Sequence, residues 1–180
     1  MADRDNLVLI GMPGSGKSTI GQCLADRLGK RFVDTDALVE ASRGCSLQAI
    51  VDAEGPAGVL AAEETEAQAL DCRNTVVATG GSMVYSEPAM TALRRLGTVL
   101  WLDVPLAALQ ERVGSGADRG LAMRPDQDLS DLASERLPLY ARHADLRIPC
   151  AAGTSPEDIT ATIVGHLETP AWGKGDNGPC

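Results

Sequence analysis

The sequence is poor in aromatic side chains, in histidine and in long apolar runs. Only 3% of its 180 residues are aromatic, and one of these is phenylalanine. A hydrophobic core must therefore be built from Ala, Val, Leu and Ile, and the 44% hydrophobic content is enough to build one. No apolar run approaches the roughly 20 residues of a membrane-spanning helix, so we expect no membrane partner.

The cysteines and histidines are too scattered to form a zinc site or a disulfide framework. Five cysteines, at positions 23, 45, 72, 150 and 180, include no CxxC pair, and the chain has only two histidines. Structural zinc sites and disulfide-stapled folds both need clustered ligands or regular cysteine spacing. The charged N-terminus is unlike a secretory signal, and an odd cysteine count favours reduced thiols. We therefore expect a cytoplasmic protein.

Basic residues are also in deficit. The chain carries 16 Lys and Arg against 25 Asp and Glu, a net charge of −9. Binding to nucleic acid requires a basic face that neutralises phosphates, so we expect no nucleic-acid partner. The length predicts a single domain over residues 1–168, which we expect to be a monomer. The Gly- and Pro-rich segment 169–180 is expected to be a disordered tail.

Short β-rich runs alternate with longer helical patterns, which is typical of βα units and a parallel sheet. The predicted strands cover residues 6–10, 31–34, 75–79, 98–104 and 146–149. The predicted helices cover residues 17–28, 57–71, 88–96, 105–113, 129–143 and 156–167. This order predicts a three-layer α/β/α fold with a mostly parallel five-stranded sheet. The polar segment 114–128 is too long for a routine connection and is interpreted as a mobile lid or a surface loop.

The strongest motif is GMPGSGKS at residues 11–18, which matches the pattern GxxxxGK[ST] between a predicted strand and a predicted helix. Glycines in such a loop let backbone N–H groups surround phosphate oxygens, and the helix N-terminus adds partial positive charge. Lys17 is placed to reach the β- and γ-phosphates, and the Ser18 hydroxyl is placed to bind Mg²⁺. The motif therefore predicts a nucleotide site of the P-loop kind.

Two carboxylates, Asp34 and Asp36, follow the second predicted strand, at the sheet edge where ligands of parallel sheets bind. One of them could anchor Mg²⁺ while the other accepts a proton from an attacking hydroxyl. The alternative is that an aspartate here only caps the next helix.

Five segments in order, GMPGSGKST, FVDTD, ATGG, VLWLDVP and ERLPLY, resemble the shikimate kinase family over roughly residues 5–167. The resemblance implies a P-loop kinase that transfers the γ-phosphoryl of Mg·ATP to a hydroxyl of a small hydroxylated acid, namely shikimate. ATP is then the co-substrate and Mg²⁺ the cofactor. The residues that would bind ATP are Gly11, Gly14, Ser15, Gly16, Lys17, Ser18, Thr19 and Arg112.

The resemblance also implies roles for the remaining site residues. Ser18 and Asp34 would hold Mg²⁺, while Lys17, Asp36 and Arg119 would be catalytic. The acceptor would be bound by Asp36, Gly80, Gly81 and Arg136, the last gripping its carboxylate. Each has a simpler alternative: the glycines could form only a turn, Arg119 could be a solvated loop residue, and Arg136 could form a surface ion pair beside Glu135.

The chain departs from the family pattern at four places: in the lid, where Gly120 follows Arg119 instead of a proline; in segment 151–156, which lacks the usual basic residue; and at two positions of the expected acceptor site. Leu60 stands where the family has a second substrate-binding arginine, and Ser82 stands where a third glycine belongs. A charge-assisted contact to a carboxylate contributes about 1.5–3 kcal/mol, so a leucine should weaken shikimate binding roughly 10- to 100-fold.

The departure at Leu60 leaves three interpretations open. The pocket could be rewired around Arg43 or Arg124, or the chain could be a paralogue for another acceptor such as homoserine or a sugar acid. A non-catalytic nucleotide-binding switch is the third.

Overall fold

The computed structural model describes residues 5–113 and 127–168. Most of the expected lid, including Arg119 and Arg124, lies outside the described residues, and so does the expected tail 169–180. Within the described ranges, no helix is both long enough and apolar enough to cross a membrane.

A five-stranded sheet forms the centre of the fold. Its strands are β1 (Asn6–Ile10), β2 (Arg31–Asp34), β3 (Thr75–Ala78), β4 (Gly97–Asp103) and β5 (Leu146–Pro149). Their spatial order is β2-β3-β1-β4-β5, and every neighbouring pair is parallel. Strands β1 and β3 are buried along their whole length, as expected for a parallel sheet with helices on both faces. The predicted parallel α/β fold is confirmed.

In the described part of the chain, seven helices connect and cover the strands. They are α1 (Lys17–Leu28), α2 (Thr35–Arg43), α3 (Leu47–Ala69), α4 (Glu87–Leu96), α5 (Leu106–Val113), α6 (Leu129–His143) and α7 (Pro156–Glu168). A 3-10 turn covers Met83–Tyr85. Helix α1 ends at Gly29, whose φ of 63° is the left-handed conformation that favours glycine at this position. Helix α6 begins with a capping box formed by Asp128 and Asp131.

The connection between β2 and β3 differs from the predicted one, because it contains two helices where one was expected. Helix α2 begins directly after β2, since the Asp34 side chain accepts a hydrogen bond from the Asp36 N–H and caps the helix. Helix α3 begins ten residues before the predicted start at residue 57 and bends at Gly55, whose φ is 71°. Pro56 follows the bend, and a proline is typical of a helix start. The pattern therefore revealed only the second half of α3.

The core is aliphatic, as the composition requires, and it has two parts. The main cluster surrounds the sheet and includes Leu9, Leu24, Val77 and Leu100. A second, smaller cluster lies between α2 and α3 and is formed by Val39, Ile50, Val59 and Ala62. Helices α2 and α3 are thus packed against each other by their own apolar contacts.

An added methyl group should have opposite effects on stability at two helical glycines, Gly21 and Gly165. A Cβ at Gly21 in α1 would lie 2.6 Å from Phe32 Cε2 and 3.2 Å from Leu9 Cδ1. Gly21→Ala should therefore lower the free energy of unfolding by about 1–3 kcal/mol through overpacking. A Cβ at Gly165 in α7 meets no described atom within 4 Å. Gly165→Ala should raise stability by about 0.5–1 kcal/mol, because alanine loses less backbone entropy.

Urea denaturation of both variants and the unaltered chain checks this pair. Equal effects of the two substitutions would show that the contact between α1 and β2 is not as close as the structure has it.

Candidate active site

The loop between β1 and α1 has a backbone that depends on glycine. Gly11, Gly14 and Gly16 have φ values of 150°, 77° and 90°. Residues with a side chain rarely adopt these conformations. A Cβ at Gly11 would also lie 2.8 Å from the Leu102 carbonyl oxygen, so the loop packs tightly against β4. The loop lies beyond the carboxyl end of β1, the central strand, where ligands of open parallel sheets bind.

Lys17 folds back over this loop. Its Nζ donates to the carbonyl oxygens of Gly11, at 2.9 Å, and Met12, at 3.0 Å. Burial lowers the pKa of Lys17 to about 8, and the negative charge of Asp36 opposes that shift. The ammonium group is therefore held at the glycine-rich loop, where the motif places phosphate oxygens.

Ser18 and Asp34 form an oxygen pair beside the loop. The Ser18 hydroxyl donates to Asp34 Oδ2 at 2.6 Å, and the other oxygen, Oδ1, accepts the capping bond from the Asp36 N–H. Asp34 thus has the capping role that the sequence offered as an alternative, and one of its oxygens still faces Ser18. Hydroxyl and carboxylate oxygens suit Mg²⁺, which binds proteins through one or two such groups together with phosphates. The described residues include no group of three or more His, Cys, Asp or Glu side chains placed to hold a metal ion.

Asp36 lies in the first turn of α2 with an unsatisfied oxygen. Its Oδ1 is buried, and no described residue donates a hydrogen bond to it. Burial raises the pKa of Asp36 to about 6, and the nearby Asp34 carboxylate adds to the shift. A buried polar atom without a partner is uncommon in proteins and marks a place where a ligand donor would be stabilised.

The backbone at the end of β3 is approached by two carboxylates. A Cβ at Gly80 would lie 1.8 Å from Glu63 Oε1 and 2.7 Å from Asp36 Oδ1, so only glycine fits there. The Gly80 N–H donates to the Thr35 hydroxyl at 3.1 Å, which ties this turn to α2. Next to it, a Cβ at Gly81 would lie 3.0 Å from Arg136 Nη1. Gly80 and Gly81 therefore not only form a turn but also allow charged side chains to approach the backbone closely.

Arg136 is buried in α6, with 1% of its surface exposed, and is not a surface residue. Its guanidinium lies over the Tyr85 ring, 5.1 Å from the ring centroid, and its Nε donates to the Tyr85 hydroxyl at 3.3 Å. The Tyr140 hydroxyl donates to the Gly81 carbonyl oxygen at 2.8 Å, which fixes α6 against the same turn. A fixed cation therefore lies beside Gly81, and Asp36 Oδ1 lies beside the neighbouring Gly80.

Glu63 is a site residue that the sequence did not single out. It is 2% exposed, and its Oε2 accepts a hydrogen bond from the Ser82 hydroxyl. Burial raises the pKa of Glu63 to about 7; the Ser82 hydrogen bond opposes that shift and Asp36 adds to it. The available signal was its spacing in α3, where Val59 and Ala67 lie one turn before and one turn after it on the buried face.

Two other arginines considered from the sequence, Arg112 and Arg43, lie in different surroundings. Arg112, exposed on α5, donates through Nη1 to the Gly14 carbonyl oxygen at 3.3 Å and so reaches the glycine-rich loop. Arg43 forms an ion pair with Glu54, so the structure does not place it as a substitute for the missing arginine. Leu60 lies half-buried in α3.

Comparison with known proteins points to one family. The family model described as "Shikimate kinase" matches residues 13–168. A shikimate kinase of Symbiobacterium thermophilum is 44% identical over 168 residues, covering 91% of this chain and 96% of that protein. A shikimate kinase of Persephonella marina is 36% identical, with 90% and 98% covered.

Among solved structures, the shikimate kinase of Acinetobacter baumannii in complex with shikimate superposes with a TM-score of 0.83 at 30% identity. The alignment covers 90% of this chain and 92% of that one. Both the fold and the sequence are thus similar over nearly the whole domain.

The buried Glu63 predicts a pH-dependent stability. Because its pKa is raised from 4.5 to about 7, the folded state binds a proton more tightly than the unfolded state. The stability from this group is full below pH 4.5 and is lost as pH rises through 7. Glu63→Gln should remove this loss, so the variant gains stability relative to the unaltered chain at pH 8 but not at pH 4.5.

Chemical denaturation at both pH values measures the difference. Glu66→Gln, one turn further along α3, makes the same chemical change outside the pocket and is the matched control. A pH-independent difference between Glu63→Gln and the unaltered chain would show that the pKa of the Glu63 carboxyl is the same in the folded and unfolded states.

Proposed function

Because the chain belongs to the shikimate kinase family and is an ATP-dependent kinase that transfers phosphate to an alcohol group, we propose that its acceptor is shikimate. One observation supports this acceptor above all: Asp36 Oδ1 lies close to Gly80 and the Arg136 guanidinium lies close to the adjacent Gly81. Shikimate is a carboxylic acid with several hydroxyl groups. Its carboxylate can pair with Arg136 while a hydroxyl donates to Asp36.

On the nucleotide side, the ATP phosphates bind the loop of Gly11, Gly14, Ser15 and Gly16, with Thr19 following in α1. Lys17 exchanges its carbonyl contacts for the β- and γ-phosphate oxygens, which carry more charge. Arg112 contacts the loop through the Gly14 carbonyl oxygen, and the resemblance to the family implies that it would stack on the adenine.

The Ser18 and Asp34 oxygens would hold Mg²⁺, because both are hard ligands 2.6 Å apart beside the phosphate loop. When bound there, Mg²⁺ neutralises charge on the β- and γ-phosphates.

On the acceptor side, Asp36 Oδ1 orients the attacking hydroxyl and takes its proton. The acceptor oxygen forms a bond to the γ-phosphorus, the bond to the bridging oxygen breaks, and ADP leaves. Arg119 is included in this proposal as a cation that stabilises the transferring phosphoryl group. This role rests only on the resemblance to the family.

Because residue 60 is a leucine, Arg136 is the one arginine among the described residues that lies against the Gly80–Gly81 turn. The acceptor carboxylate is then held by one guanidinium. The affinity for the acceptor should then be weaker than with two arginines. The chemistry at Asp36 should be unchanged, because the carboxylate binds Arg136 beside Gly81 and the reacting hydroxyl binds Asp36 beside Gly80.

Asp36→Asn should lower kcat by about two to four orders of magnitude while the fold persists, because an amide cannot take the hydroxyl proton. A coupled assay of ADP formation with shikimate measures the rate, and circular dichroism checks the fold. Asp52→Asn, on the exposed side of α3, is the matched control and should leave kcat unchanged. Turnover retained in Asp36→Asn would remove this residue from the proton-accepting role.

The acceptor itself is tested by comparing shikimate, homoserine and gluconate in the same assay. Shikimate should be phosphorylated, and Leu60→Arg should lower its KM roughly 10- to 100-fold while the KM for ATP stays unchanged. Leu60→Met, which adds length without charge, should leave both values unchanged.

Turnover of homoserine or gluconate without turnover of shikimate would overturn the proposed acceptor. Tight ATP binding without a product from any acceptor would support a nucleotide-binding switch.

A further inference from the structure

Two departures from the family pattern meet at one buried carboxyl group. Ser82, 5% exposed, follows the Gly80–Gly81 turn and donates its hydroxyl hydrogen to Glu63 Oε2. Leu60 precedes Glu63 by three residues in α3, and residues at this spacing share one face of a helix. One departure therefore supplies a donor to Glu63, and the other removes a possible donor from the same helix face.

Glu63 needs such a donor because it is almost fully buried. A carboxyl group removed from water is costly unless it is hydrogen-bonded or paired. An arginine at position 60 would lie one turn away on α3, within reach of this carboxyl, but a leucine offers no N–H group. Charged groups from three other elements also face Glu63, namely Asp36 of α2, Arg136 of α6 and Lys17 of α1.

The Ser82 contact determines which way the carboxyl faces. With Oε2 bonded to Ser82, the other oxygen, Oε1, lies so close to Gly80 that a Cβ there would be 1.8 Å away. Asp36 Oδ1 approaches the same point to within 2.7 Å of that Cβ position. Glu63 Oε1 and Asp36 Oδ1, which both accept hydrogen bonds, thus lie on one wall of the pocket. The orientation of the Glu63 carboxyl depends on Ser82.

We propose that Ser82 is a positioning residue of the acceptor pocket, which fixes the Glu63 carboxyl against Gly80 in place of a cation on the preceding turn of α3. Ser82 need not touch the acceptor; it acts through Glu63. The wall formed by Asp36 and Glu63 then takes hydroxyl donors, and the acceptor carboxylate lies on the Arg136 side. This assignment of the wall rests on the proposed function.

A second Ser–Glu pair in the same region provides a matched control. Ser86 donates to Glu64 Oε2 at 2.7 Å and joins the same two parts of the fold, the 3-10 turn region and α3. Glu64 is not one of the groups that approach Gly80. A contact that only stabilises the fold should therefore have the same kinetic consequences at Ser82 and Ser86.

Ser82→Ala should raise the KM for shikimate about tenfold or more, since a hydrogen bond to a charged group is lost, while the KM for ATP stays unchanged. Ser86→Ala should leave both KM values unchanged even where it lowers the melting temperature. Leu60→Arg should lower the KM for shikimate by a larger factor in the Ser82→Ala background than in the unaltered chain, because only there does it also replace the lost donor to Glu63. An unchanged KM in Ser82→Ala, an equal rise in Ser86→Ala, or an equal effect of Leu60→Arg in the two backgrounds would overturn the proposal.

Stability provides a readout that needs no acceptor. In a double-mutant cycle, Ser82→Ala should cost less unfolding free energy in the Leu60→Arg background than in the unaltered chain. If Ser82→Ala alone does not fold, the double variant should. Additive effects, or a double variant that also fails to fold, would overturn the proposal. If the unaltered enzyme does not phosphorylate shikimate, the proposed function fails, and this cycle still decides the role of Ser82.

Discussion

The approach of two carboxylate oxygens to the backbone of Gly80 is the constraint on which the rest of the site depends. Neither Asp36 nor Glu63 could occupy its position if residue 80 carried a side chain. Their approach brings α2 and α3 against the end of β3, beside the glycine-rich loop at the end of β1. The nucleotide loop and the acceptor wall are adjacent because parallel strands end at one edge of the sheet.

Burying these carboxylates has an electrostatic cost, which the site offsets locally. Lys17 and Arg136 bring two positive charges to the pocket, and Ser82 donates a hydrogen bond to Glu63. The chain can therefore bind phosphates despite its net charge of −9, because a few fixed cations and backbone N–H groups determine the local field. The acidic composition excludes a general polyanion binder but does not exclude a kinase.

Local sequence patterns correctly predicted the boundaries of several strands and helices. The boundaries of β1, β2, β5, α1 and α6 are those predicted, because apolar runs, glycines and caps define them. The predicted helices omit α2 and the first half of α3, because the cap at Asp34 was only an alternative interpretation and the bend at Gly55 read as a helix start.

The role of Glu63 could not be predicted either, since it arises from the approach of α3 to β3, which no local pattern encodes. Two of the departures from the family, Leu60 and Ser82, are far apart in the sequence. In the structure both bear on the same buried glutamate.

The central claim is that this pocket selects shikimate with a single described arginine at the acceptor turn. An internal competition measures it most directly: equimolar shikimate, homoserine and gluconate share one reaction with limiting ATP, and mass spectrometry identifies the phosphorylated product. The account predicts that phosphorylated shikimate predominates. A predominance of phosphorylated homoserine or gluconate would contradict it.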